Sequence, residues 1–264
     1  MRLTYVPLLA TLRDVYAVPR GRERFETYLK TVLAKDRADV ELLPLLAANP
    51  MARDHVTALL DELLTLDADG IGARAAAEAA GRLADEPGDY KVALVVADDL
   101  LGGWTNRYAY EFDFRVGYGP HGKRFWGLFG LLWSSEPASE RAVREAVLTA
   151  VYRTAYVRRR GPPASLRDIM VQEGRVMATA GCAGPTLDPE DIEYTREVLV
   201  PYQDATDKRT VMECLFGDGP GSTLGFTPRG LSPWAGLAVA LHDARAAVTP
   251  VLPGVVAPAD RPGV

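Results

Sequence analysis

The sequence predicts a helix-dominated α+β fold, and three observations carry that expectation. Apolar residues recur at helical spacing in both halves of the chain, as in Val56, Leu59, Leu60, Leu63 and Leu64. Between the helical blocks lies a valine-rich apolar run, Lys91 to Ala97, bounded by Gly88 and by Asp98-Asp99-Leu100-Leu101-Gly102-Gly103. Further on, Tyr108, Tyr110, Phe112, Phe114 and Val116 alternate with Ala109, Glu111, Asp113 and Arg115, the period of a strand with one buried face. The expected strands cover about 91–97, 107–117 and 125–134. They are expected to form a small antiparallel three-stranded sheet surrounded by amphipathic helices.

The helices follow in order. Pro7 fits a first turn, with Val6, Leu9, Leu12, Val15 and Tyr16 behind it. Arg22 to Ala34 carries Phe25, Tyr28, Leu29, Val32 and Leu33 on one face. Asn49-Pro50 reads as an N-cap with proline at the first helical position. An alanine-rich helix runs from Gly72 to Ala84 and stops at Glu86-Pro87-Gly88. Gly117 to Gly122 is of hairpin-loop composition, and Phe125 to Trp133 reads as the returning strand. Ser139 to Arg159 is a long helix, roughly 30 Å at 1.5 Å per residue. Ser165 and Asp168 form a capping-box pattern, Asp188-Pro189 opens another helix, and Asp207 to Phe216 is a short one. Gly217 to Leu231 is irregular, and Ser232-Pro233 starts the last helix. Residues 1–248 read as one globular domain, and 249–264 as a proline-rich irregular tail.

Composition narrows the function. Of the 264 residues 48% are apolar and 25% charged, so the chain can build a core. A net charge of −5 argues against nucleic acid as a partner. The basic cluster Arg158-Arg159-Arg160 suits the negative end of a helix dipole without any partner. The first residues lack the long apolar core and cleavage site of a secretory signal. No stretch reaches the roughly 18 apolar residues of a membrane span. A soluble, cytoplasmic protein with no membrane partner is therefore expected. Cys182 and Cys214 match no redox or metal spacing, and His55, His121 and His242 are scattered. No HExxH, GxSxG or Walker A pattern occurs.

Two segments carry the residue types from which a site is made. In the first, Asp98 to Lys123, adjacent Asp98 and Asp99 at a strand end are candidate oxygen ligands for a divalent cation. Glu111 and Asp113 share a strand face about 7 Å apart, the separation of an acid/base pair, and are the candidate catalytic groups. Trp104 offers a stacking surface, Asn106 an amide, and Arg107 and Arg115 a hold on an anion. In the second, Gly217 to Ser232, glycines lead into a helix start, with Arg229 as an anion clamp and Ser232 at the helix entrance. The same residues also suit turns and solvated faces. Two readings of function stay open. One is a small-molecule-binding protein or enzyme acting on a polar or anionic ligand, with a divalent cation as candidate cofactor. The other is a non-catalytic helical interaction or scaffold protein, with a second copy of the chain as candidate partner.

Overall fold

A computed structural model describes residues 1–35, 39–100, 105–116, 127–219 and 224–247. The described residues hold a three-stranded sheet and ten α-helices. The strands are β1 (Arg2–Tyr5), β2 (Asp89–Ala97) and β3 (Leu128–Trp133). The helices are α1 (Leu9–Ala17), α2 (Arg22–Val32), α3 (Asp54–Thr65), α4 (Ala68–Arg82) and α5 (Arg107–Val116). They continue with α6 (Glu140–Arg160), α7 (Leu166–Ala180), α8 (Pro189–Leu199), α9 (Lys208–Phe216) and α10 (Ala235–Ala246). Residue contacts divide the chain into two compact units. One comprises Met1–Arg107 with Tyr118–Val151, the other Tyr108–Gly117 with Tyr152–Val264.

The first unit is built on the sheet, in the order β1-β2-β3. Both pairings are parallel, with Tyr5 opposite Val92 and Ala97 opposite Trp133. The expected antiparallel sheet is therefore wrong, and so is one of its strands. Strand 91–97 lies within β2 and 125–134 contains β3, but Arg107–Val116 of the expected strand 107–117 is helix α5. The third strand is β1, in a polar segment with no alternation long enough to announce it. The expected hairpin loop at 117–122 lies outside the described residues. A parallel pair needs a long crossover between its strands, whereas a tight turn only makes antiparallel neighbours.

Parallel strands covered on both faces read as unbroken apolar runs, and β2 is buried at every residue from Val92 to Ala97. One face is lined by α4 and α6. A Cβ at Gly72 would meet the Tyr5 ring, and one at Gly130 would meet the Ala146 backbone. The two helices lie side by side there, joined by Arg144 Nη2 and Glu78 Oε2 at 2.6 Å. Helix α1 and the 3₁₀ turn Leu43–Ala47 also pack on β2.

In the second unit α10 lies along α7, with α8 and α9 against α10. The α7–α10 approach is close enough that a Cβ at Gly174 would stand 2.1 Å from the Ala240 carbonyl oxygen. An aromatic cluster fills the space beside α9, with Tyr108, Phe216 and Trp234 rings 5.1 to 5.8 Å apart.

The capping signals are mixed. Ser165 and Asp168 make both bonds of a capping box, and Asp188 and Asp207 cap α8 and α9. Asn49-Pro50 does not open a helix. Arg53 occupies the N-cap of α3, while Asn49 Oδ1 accepts the Met51 N–H at 3.0 Å in a turn. Trp234, not Ser232, precedes α10. The tail 249–264 lies outside the described residues. Among the described residues no helix is long and apolar enough to cross a membrane.

Gly174→Ala separates local propensity from packing. Alanine in a helix interior normally adds about 0.5–1 kcal/mol of stability relative to glycine. Here the methyl group runs into α10, so the variant is expected to lose about 1–3 kcal/mol. Denaturant unfolding of the purified variant measures the sign.

Candidate functional site

The carboxyl ends of β2 and β3 sit side by side because Ala97 is in register with Trp133. The next residues, Asp98-Asp99 and Ser134-Ser135, therefore meet at one edge of the sheet. In open α/β sheets the carboxyl edge is where ligands bind, since rigid strands aim the first loop residues.

Asp98 is 2% exposed and accepts from three sides. Asn49 Nδ2 donates to Oδ2 at 2.9 Å, and His55 Nε2 lies 2.8 Å from Oδ1. The Ser134 hydroxyl stands 3.1 Å from the same Oδ1. Burial alone would raise this carboxyl. The hydrogen bonds from His55, Asn49 and Ser134 outweigh it and hold Asp98 below its ordinary value. The charged form is thus the one built into the fold.

Asp99 turns the other way. Its Oδ1 accepts from Ser135 N at 2.9 Å and faces the Ser134 hydroxyl at 3.0 Å. Its Oδ2 accepts from Ser135 Oγ at 2.7 Å and Arg107 Nη1 at 3.3 Å. Ser134 Oγ also accepts the Asp99 N–H at 3.0 Å. The single hydroxyl proton of Ser134 has two carboxylate acceptors and can serve one at a time. Arg107 reaches Ser135 Oγ at 3.0 Å and Glu136, and stacks over the Trp133 ring at 5.1 Å.

His55 completes the cluster. With Nε2–H donated to Asp98, Nδ1 carries a lone pair, and that atom is buried without a hydrogen-bond partner. An unmet buried acceptor costs about 1–3 kcal/mol. An imidazole held by a carboxylate through one nitrogen is the arrangement that supports proton transfer at the other.

The expected site residues separate into distinct settings. Asp98 and Asp99 meet at the Ser134 hydroxyl, and all four of their oxygens are already engaged by protein groups. Among the described residues no group of three or more His, Cys, Asp or Glu side chains gathers as a metal site requires. Glu111 and Asp113 do not share a face, because two residues along a helix turn the side chain well round the axis. Glu111 is buried and pairs with Arg115 at 3.2 Å. Asp113 is exposed and pairs with Lys208 at 2.5 Å. Asn106 is exposed just before α5, and Trp104 lies outside the described residues. Ser232 Oγ donates to Asp191 Oδ2 at 3.1 Å. Arg229 is bound to Glu213, with Nε 2.8 Å from Oε2.

Arg115 belongs to a buried ion cluster in the second unit. Glu173, fully buried on α7, meets Arg153 Nε at 2.6 Å and Arg115 Nη1 at 2.7 Å. Burial pushes the Glu173 carboxyl up, but the two arginines override it and bring it down to about 2. Gln172 Nε2 donates to the Arg115 carbonyl at 3.1 Å. Two arginines and two glutamates neutralise one another out of water.

Asn49, His55, Ser134 and Ser135 were missed at sequence level. A parallel reading of 91–97 and 125–134 would have placed Asp98-Asp99 beside Ser134-Ser135. Asn49 and His55 give no such signal, since only tertiary folding brings them to Asp98. Comparisons with protein-family models, with curated proteins and with solved structures find no match.

Glu173 provides a pH test. Its carboxyl is lower in the folded chain than its ordinary value, so its contribution is present above that value. The contribution, on the order of 3 kcal/mol, is lost as pH falls from about 4.5 towards about 2. Glu173→Gln leaves Arg115 and Arg153 short of a partner and is expected to cost about 3–5 kcal/mol at neutral pH. Unfolding free energies at several pH values should show the variant less stable and flatter through the acid range.

Proposed function

We propose that this chain acts on a small polar molecule at the carboxyl edge of its parallel sheet, with His55 and Asp98 as an acid–base pair. The observation that carries the reading is the 2.8 Å contact of His55 Nε2 with a buried carboxylate, beside an Nδ1 that has no partner. Local opening around the buried Nδ1 admits a ligand O–H or N–H, which gives up its proton there, and Asp98 stabilises the imidazolium that forms. Asn49 and Ser134 hold Asp98 in place and act through it, as positioning residues. Ser135 and Arg107 belong to the same edge and supply donors for an oxygen-rich or anionic part of the ligand. Asp98 and Asp99 have every oxygen engaged, so the reading routes no step through a divalent cation.

The test is a thermal-shift panel of sugars, polyols, amino acids, carboxylates and phosphates. A compound at about 100 times its dissociation constant adds about 2.7 kcal/mol and shifts the melting temperature upward. The shift is expected to disappear in His55→Gln and to weaken in Asp98→Asn. A flat response across the panel, or a set of shifts none of which His55→Gln removes, overturns the reading.

A further inference from the structure

A groove of about 690 Å³ opens in the second unit between the 3₁₀ turn Val200–Tyr202, helix α9 and residues 227–229. Its floor is Glu213, whose side chain is 4% exposed. Both carboxylate oxygens are taken. Arg209 Nε donates to Oε1 at 3.0 Å, and Arg229 Nε and Nη2 both donate to Oε2. Two guanidinium charges therefore share one carboxylate. Glu197 also lines the groove but is exposed, where solvent screens its charge.

The two arginines are held rigidly. Arg229 stacks on the Tyr202 ring, 4.1 Å from guanidinium carbon to ring centre. Its backbone is clamped, because Asp218 accepts the N–H groups of Arg229, Gly230 and Leu231 at 2.7 to 3.1 Å. Arg209 lies over Phe226 and points Nη2 at Thr227 Oγ1, 3.4 Å away. Among the described residues no hydrogen bond takes up the Nη1 of either arginine. Guanidinium groups only donate, so whatever satisfies them accepts. Thr210 and Thr227 add hydroxyls to the same wall.

We infer that this groove binds a small oxyanion, a carboxylate or a phosphate, between Arg209 and Arg229. The site stands apart from the proton-transfer reading of His55, which it neither needs nor supports. Glu197 and Glu213 balance the two arginines in number, so the sign of the ligand is set by the guanidinium N–H groups left without an acceptor among the described residues. The fixed guanidinium planes favour a planar carboxylate or a phosphate edge over a spherical ion such as chloride.

The experiment is calorimetric titration of the whole chain with inorganic phosphate and, separately, with succinate, at one ionic strength set with sodium chloride. Saturable binding of at least one probe is expected, and the better of the two identifies the oxyanion class. Arg229→Gln strips Glu213 of its buried partner and risks the fold, so Arg209→Ala, half-exposed at 56%, is the primary variant. It should weaken binding at least tenfold while the variant unfolds near the parent's midpoint. His55→Gln should bind as the parent does. Absence of saturable binding for both probes, equal binding by Arg209→Ala, or loss of binding in His55→Gln each overturns the assignment.

Discussion

An ionised carboxylate taken out of water costs several kcal/mol unless donors surround it, and this chain meets that condition repeatedly. Asp98 is met by an amide, an imidazole and a hydroxyl. Glu173 is met by two guanidinium groups, and Glu213 by two more. Asp218 is met by three successive backbone N–H groups. Most of these donors come from other segments of the chain, although Arg209 lies one helical turn from Glu213. A single buried charge thus fixes the relative placement of several elements, and the apolar packing has to be compatible with it. Removing all of its donors would leave such an acid to its full desolvation cost, which apolar contacts nearby cannot supply.

The same condition explains why polar residues cluster where they do. The carboxyl edge of the sheet gathers Asp98, Asp99, Ser134 and Ser135 because strand register leaves no choice once β2 and β3 run parallel. Their hydrogen bonds then satisfy one another, so the edge is organised before any ligand arrives.

Most helices and two of the three strands were legible in the sequence, but helix α5, strand β1 and the parallel direction of the sheet were not. Stripes such as Val56, Leu59, Leu60 and Leu63 admit one period, and their helix forms as expected. So do the caps at Ser165, Asp188 and Asp207, where the signal is a side chain next to its own backbone. Residues 108–116 admit two periods. Tyr108, Tyr110, Phe112 and Phe114 alternate as in a strand, while Tyr108, Glu111, Phe112 and Arg115 repeat as in a helix. The helical face carries charges, and they are buried because Glu173 and Arg153 come from elsewhere to meet them. Asn49 misled for a related reason. Its amide serves Asp98 and its carbonyl a local turn, which outweighs capping a helix. Of the candidate site, Asp98, Asp99 and Arg107 were visible as residues, but His55 became visible only through the partner it finds.

The pairing of Arg2 with Asp89 also bears on how the chain is made. Contacts between such distant segments slow folding, because chain entropy is lost before they form. On a ribosome adding 5–20 residues per second, β1 waits on the order of ten seconds for β2 to be synthesised. During that interval its backbone has no strand to bond. With burial that runs exposed, intermediate, exposed, intermediate, β1 is too short and too polar to attract a wrong partner. The absence of a strong strand signal in Arg2–Tyr5, which hid it from the sequence reading, is then a protection for the nascent chain.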